Sequence, residues 1–101
     1  MLIKQIAPNQ IKVTTENKIV FQSYDSNVLK YDIEADQITL GKDWDYSKTT
    51  LKHLYNFGSY QLPTKQGTND FICICQSEIK NKRQEIQELI NNNIIKYDES
   101  L

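Results

Sequence analysis

The sequence predicts an α+β domain: a mostly antiparallel N-terminal β-meander, two helices packed on one face, and a short C-terminal strand. Three observations carry that expectation. Up to Leu40, apolar and polar residues alternate in short runs broken by turn-forming residues, the period of a half-buried strand. Beyond Trp44 the apolar spacing lengthens to that of a helix. The chain of 101 residues suits one domain rather than two, so residues 1–101 are read as one unit.

The elements follow in order. Leu2 to Ile6 is a short strand closed by Pro8-Asn9, and Gln10 to Thr15 alternates up to the polar pair Glu16-Asn17. Lys18 to Tyr24 places Ile19, Phe21 and Ser23 on one face, and Asp25-Ser26-Asn27 is a turn cluster whose side chains can bond nearby backbone. Val28 to Ile33 and Gln37 to Leu40 complete the meander, separated by Glu34-Ala35-Asp36 and ended by Gly41. Ser47 then caps a helix carrying Leu51, Leu54, Tyr55 and Phe57, with Tyr46 stapled onto Leu51 and Gly58 as the left-handed residue at its end. Ser59 to Asp70 reads as a loop and Phe71 to Cys75 as a strand. Ser77 caps a second helix, Glu78 to Asn92, with Ile79, Arg83, Ile86, Leu89 and Ile90 on one side and a Glu78–Lys82 pair along it. Asn91-Asn92-Asn93 stops this helix, and Ile94 to Tyr97 forms the last strand.

Composition excludes several function classes. Twelve Lys and Arg against 13 Asp and Glu, a net charge of −1, argue against a generally basic nucleic-acid binder while allowing a local basic patch. No run approaches the ~20 apolar residues of a membrane span, and no charged-then-apolar leader opens the chain. Cys73 and Cys75 are the only cysteines; as i and i+2 on a strand they are too far apart for a disulfide, and with the single His53 they make a poor zinc site. They read as two small buried apolar residues of a protein in a reducing compartment, the cytoplasm. Gly41, Gly58 and Gly67 are isolated, so neither phosphate-binding glycine loop is present, and no cofactor or metal is expected.

Catalytic groups are sparse. His53 has Ser47, Thr49 and Thr50 near it on the same helix and Asp43 and Asp45 just before, but this is not a triad spacing and no glycine elbow surrounds Ser47. Asp43 and Asp45 are accounted for by the positive end of the helix dipole. The expectation is therefore a non-enzymatic protein.

The stretch from Trp44 to Tyr55 is richer in binding chemistry. Lys42, Lys48, Lys52 and His53 interleave with Trp44, Tyr46 and Tyr55, beside a helix N-terminus with Ser47, Thr49 and Thr50 hydroxyls. A cap needs one hydroxyl; three, followed by Lys52 and His53, motivate a ligand or partner surface made of Tyr46, Ser47, Lys48, Thr49, Lys52 and His53. Replacing Thr49, Lys52 and His53 together by Ala should then remove function and leave the melting temperature nearly unchanged.

At Tyr46-Ser47-Lys48-Thr49-Thr50-Leu51-Lys52-His53 the chain resembles a group of small proteins encoded by bacteriophages and mobile elements, which carry a Tyr-Ser-x-Thr-Thr-x-Lys-His/Tyr stretch and have no assigned activity. Phe21-Gln22-Ser23-Tyr24-Asp25, the Trp44-Asp45 pair and the Ile94-Ile95-Lys96-Tyr97 ending are similar too, whereas Tyr60 to Gln76 departs from the pattern. The resemblance implies a source class, with the host-cell cytoplasm as its setting, rather than a mechanism. By analogy with that class, the expected function is binding of a host or viral protein, as an inhibitor or accessory factor. The alternative is a nucleic-acid accessory protein using Lys42, Lys48, Lys52, His53 and Tyr55, which predicts strongly salt-dependent binding. An edge strand, Ile94 to Tyr97 first, offers a route to a homodimer.

Overall fold

A computed structural model describes residues 1–101. The alternating first half forms β1 (Leu2–Ala7), β2 (Gln10–Thr14), β3 (Lys18–Ser23), β4 (Ser26–Asp32) and β5 (Gln37–Leu40). Three helices follow, α1 (Lys48–Tyr60), α2 (Gln66–Gln76) and α3 (Lys82–Asn91), and then β6 (Lys96–Tyr97). The sheet order is β1-β2-β3-β4-β5-β6. Its first four pairings are antiparallel, and β6 joins β5 in parallel.

Register explains the core. Ile19 pairs with Tyr31 and Phe21 with Leu29, while Tyr31 pairs in turn with Ile38 and Leu29 with Leu40. Those six side chains share one face and are buried, and the helices cover them. The opposite face, with Val20, Lys30 and Asp32, stays half-exposed. From α1 come Leu54 and Phe57, from α2 Phe71 and Cys75, from α3 Ile86 and Leu89. Phe57 stacks on Phe21 with ring centroids 4.3 Å apart, fixing α1 over β3. Each such buried ring contributes about 1.5–3 kcal/mol relative to an exposed one.

The expected α+β class stands, with one helix more than the sequence reading gave. Phe71 to Cys75 is helical rather than a strand, within α2. Thr68, Phe71, Ile72 and Cys75 are its buried residues, a helical spacing. The start of α2 is fixed by Thr68, whose hydroxyl accepts from the Lys65 N–H at 2.8 Å and donates to the Pro63 carbonyl at 2.6 Å. Consequently Cys75 is buried and Cys73 exposed, instead of both being buried on a strand. Gly58 lies inside α1 rather than ending it: a Cβ there would overlap Cys75 Sγ and come within 2.8 Å of Phe71 Cε2, so Gly58 is the point where α1 and α2 touch. The Glu78–Lys82 pair does not form, because α3 begins only at Lys82, whose ammonium donates to the Cys75 carbonyl at 3.1 Å. Ile94 and Ile95 precede the short last strand rather than belonging to it, and Ile95 joins the core. The longer edge of the sheet is therefore β1.

Candidate functional site

The hairpin joining β3 to β4 turns on Tyr24 and Asp25, with Ser23 paired to Ser26. Tyr24 has a φ of 56°, the left-handed region that glycine and asparagine occupy at little cost and a bulky residue rarely enters. Its N–H donates to the Asn9 carbonyl at 2.8 Å, which holds the turn in that shape.

Opposite this turn the chain enters α1. Ser47 is the N-cap with extended backbone, and its hydroxyl accepts from the Thr50 N–H at 3.1 Å, as the sequence predicts. Tyr46 does not form the expected staple on Leu51; its ring is 79% exposed. The preceding segment is pinned from two sides. Buried Trp44 carries the Arg83 guanidinium 5.5 Å from its ring, and Arg83 donates to one Asp45 oxygen at 2.8 and 3.0 Å. Asp43 accepts from the Ser26 hydroxyl at 2.8 Å, tying the segment to the hairpin.

Between hairpin and helix lies a cavity of about 550 Å³. Ser23, Tyr24, Ser26 and Val28 line it from the hairpin; Asp43, Tyr46, Ser47, Thr49 and Thr50 line it from the other side. The lining is rich in hydroxyls, and Asp43 is its one acidic or basic side chain of full charge. One Asp43 oxygen is held by Ser26, while the other, Oδ1, receives no donor from the protein. No lysine forms an ion pair with it, since Arg83–Asp45 is the chain's one salt bridge.

His53 stands behind this cavity. Its Nδ1 is hydrogen-bonded to the buried Ser23 hydroxyl at 2.9 Å, and the Tyr24 ring lies 5.8 Å away. Burial, with a smaller contribution from the neighbouring Lys52 charge, lowers the pKa of the imidazole from its usual value and so favours the neutral ring. A serine on a neutral histidine is two members of a triad, but no carboxylate is bonded to the other ring nitrogen.

The structure therefore brings some of the sequence-predicted site residues together and separates others. Tyr46, Ser47 and Thr49 line the cavity, and His53 supports it through Ser23. Lys48 is exposed in the first turn of α1. Lys52 faces a different groove, with Tyr55, Tyr60 and Lys82, where the Lys82 ammonium lies 5.1 Å from the Tyr55 ring. Lys42 borders a third depression, beside Trp44 and Tyr97. The lining residues that sequence reasoning left out of the site are Ser23, Tyr24, Ser26, Val28, Asp43 and Thr50. The available signal was a tyrosine at a tight-turn position.

The chain belongs to DUF8033, a family of unknown function, whose family model matches residues 1–81. That span holds β1 to β5, α1, α2 and the whole lining of the cavity. No curated protein and no solved structure matches the chain. No helix is long and apolar enough to cross a membrane.

Proposed function

We propose that the chain is a non-enzymatic binding protein that holds a protein partner at the cavity between the β3–β4 turn and α1. The observation that carries this reading is the pair of tyrosines at that cavity, Tyr24 at 50% and Tyr46 at 79% exposure. Large aromatic rings with few rotors supply contact area at low entropic cost and concentrate binding energy where they are buried by a partner. The unfavourable backbone of Tyr24 adds weight, because such strain costs about 1–3 kcal/mol and tends to persist where the side chain is used. The stretch that resembles phage- and mobile-element-encoded proteins contributes Tyr46, Ser47, Thr49 and Thr50 to this cavity, and the resemblance suggests a host or viral protein as the partner, met in the host cytoplasm, with the chain as inhibitor or accessory factor.

The nucleic-acid alternative draws less support from the geometry. Lys42 and Lys52 border different depressions, Arg83 is paired with Asp45, and Asp43 puts negative charge at the cavity between the hairpin and α1. The test is capture from a host-type lysate with and without nuclease. A protein retained after nuclease, lost with Tyr46→Ala plus Thr49→Ala and kept with Lys52→Ala, is the expected result. Capture that disappears with nuclease, and weakens steeply with salt, would instead favour the nucleic-acid reading. His53 is best left intact in such variants, since its removal strips the buried Ser23 hydroxyl of its partner.

A further inference from the structure

We propose that this cavity receives an arginine side chain of the protein partner, with Asp43 as its counter-ion and Tyr24 and Tyr46 as its aromatic walls. The inference rests on the protein-partner reading and names the chemistry that reading leaves open.

Charge decides the sign of the occupant. Asp43 is the one fully charged group lining the cavity, and its Oδ1 has no donor from this chain. The Ser26 hydroxyl already donates to Oδ2 at 2.8 Å, and the Ser47 and Thr50 hydroxyls are bonded to each other at 3.1 Å, so two hydroxyl protons of the lining are used within the fold. The α1 N-terminus contributes roughly half a positive charge, screened in part by its own cap, against the full negative charge of the carboxylate. Lys48, exposed in the first turn of α1, does not line the cavity, so at the lining itself an anion would meet net repulsion and a cation net attraction.

Two tyrosine rings at the same cavity select among cations. A cation within about 6 Å of an aromatic face is attracted by the ring quadrupole. The planar guanidinium is less strongly hydrated than an ammonium and can stack on a ring while donating in its own plane to a carboxylate. The molecule already uses this combination a few residues away. Arg83 lies 5.5 Å from the Trp44 ring and donates to Asp45 at 2.8 Å. The cavity presents the same two kinds of group, a carboxylate and aromatic rings, with no cation of this chain on them.

The test is an NMR titration of the ¹⁵N-labelled protein with N-acetyl-arginine methylamide, with N-acetyl-citrulline methylamide as the uncharged isostere and inorganic phosphate as the anion. Shifts in the Tyr24, Ser26, Asp43 and Thr49 amides with the arginine probe alone are the expected result. Asp43→Asn should weaken that binding roughly tenfold or more with the fold intact. Equal binding of the citrulline probe, binding of phosphate at these amides, no response to the arginine probe, or unchanged binding in Asp43→Asn would each overturn the inference. Failure here is distinguishable from failure of the broader reading: a nuclease-resistant partner lost with Tyr46→Ala plus Thr49→Ala, alongside a silent arginine titration, would leave the binding protein standing and remove only its arginine.

Discussion

Two corners of the molecule place an aspartate near a helix N-terminus, and they use it differently. At the first, Asp36 accepts from the Tyr31 hydroxyl at 2.6 Å with one oxygen and from the Gly67 N–H, in the first turn of α2, at 2.7 Å with the other. Both oxygens are engaged inside the fold. The Tyr31 hydrogen bond, then the Gly67 N–H, holds the carboxyl below its usual pKa, while burial and then the bond to Asp36 push the Tyr31 phenol up to about 12. At the second corner, Asp43 gives one oxygen to Ser26 and none to α1, whose N-terminus is capped by Ser47 instead. The same residue types thus make a closed structural joint at Asp36 and leave an open acceptor at Asp43. A charged residue at a helix start is in this protein a poor guide to function; whether its acceptors are all occupied is the better one.

The closed joint at Asp36 is the corner most sensitive to substitution. A Cβ on Gly67 would run into the Asp36 backbone carbonyl, which cannot move without shifting the end of the β4–β5 turn. Gly67→Ala should cost about 2–3 kcal/mol, the range of forced overpacking, and lower the melting temperature by roughly 10–20 °C in a thermal denaturation scan. Tyr31→Phe comes next. It removes the buried Tyr31 hydroxyl that donates to one oxygen of the half-buried Asp36 and should cost about 1 kcal/mol by urea denaturation.

The pH dependence separates the corners further. A carboxylate held low in the folded state contributes stability that is present above its unfolded pKa, near ~3.9, and lost as the pH falls through the folded value. Asp36→Asn should therefore flatten the acid limb of the melting-temperature profile below about pH 4. His53 acts in the same direction at higher pH. Its lowered pKa means the unfolded chain binds the proton more readily, so stability is full above ~6.5 and declines as the pH falls below it. His53→Gln, which can keep the Ser23 hydrogen bond, should remove that decline in melts between pH 7 and 5. At the open corner, Asp43→Asn should change stability by no more than ~0.5 kcal/mol while weakening the arginine probe.

Much of the fold was legible in the sequence because its causes are local. Alternation of Ile19, Phe21 and Ser23, or of Leu29 and Tyr31, writes the strand period directly, and the Ser47 cap sits where its hydroxyl says it should. Phe71-Ile72-Cys73-Ile74-Cys75 was misleading because a short apolar run fits a strand and a buried helix equally well by pattern. Contacts outside the run decide it: Thr68 on Lys65 and Pro63, and Gly67 on Asp36, the last spanning 31 positions. The site divides the same way. Tyr46, Ser47 and Thr49 were visible as one motif, whereas Ser26 reaches Asp43 across 17 positions and Ser23 reaches His53 across 30, pairings that only the folded sheet creates.

Tyr24→Asn separates stability from binding in one variant. Asparagine accepts a φ of 56° more readily than tyrosine, which offsets the lost ring contact with His53 to within about 1 kcal/mol. Titration of the arginine probe into this variant should show binding about two- to fivefold weaker, the worth of a cation–π contact at a half-exposed ring, with a melting temperature close to that of the wild type. Undiminished binding would contradict the account, since the tyrosine held in the left-handed turn would then contribute nothing to the cavity it borders.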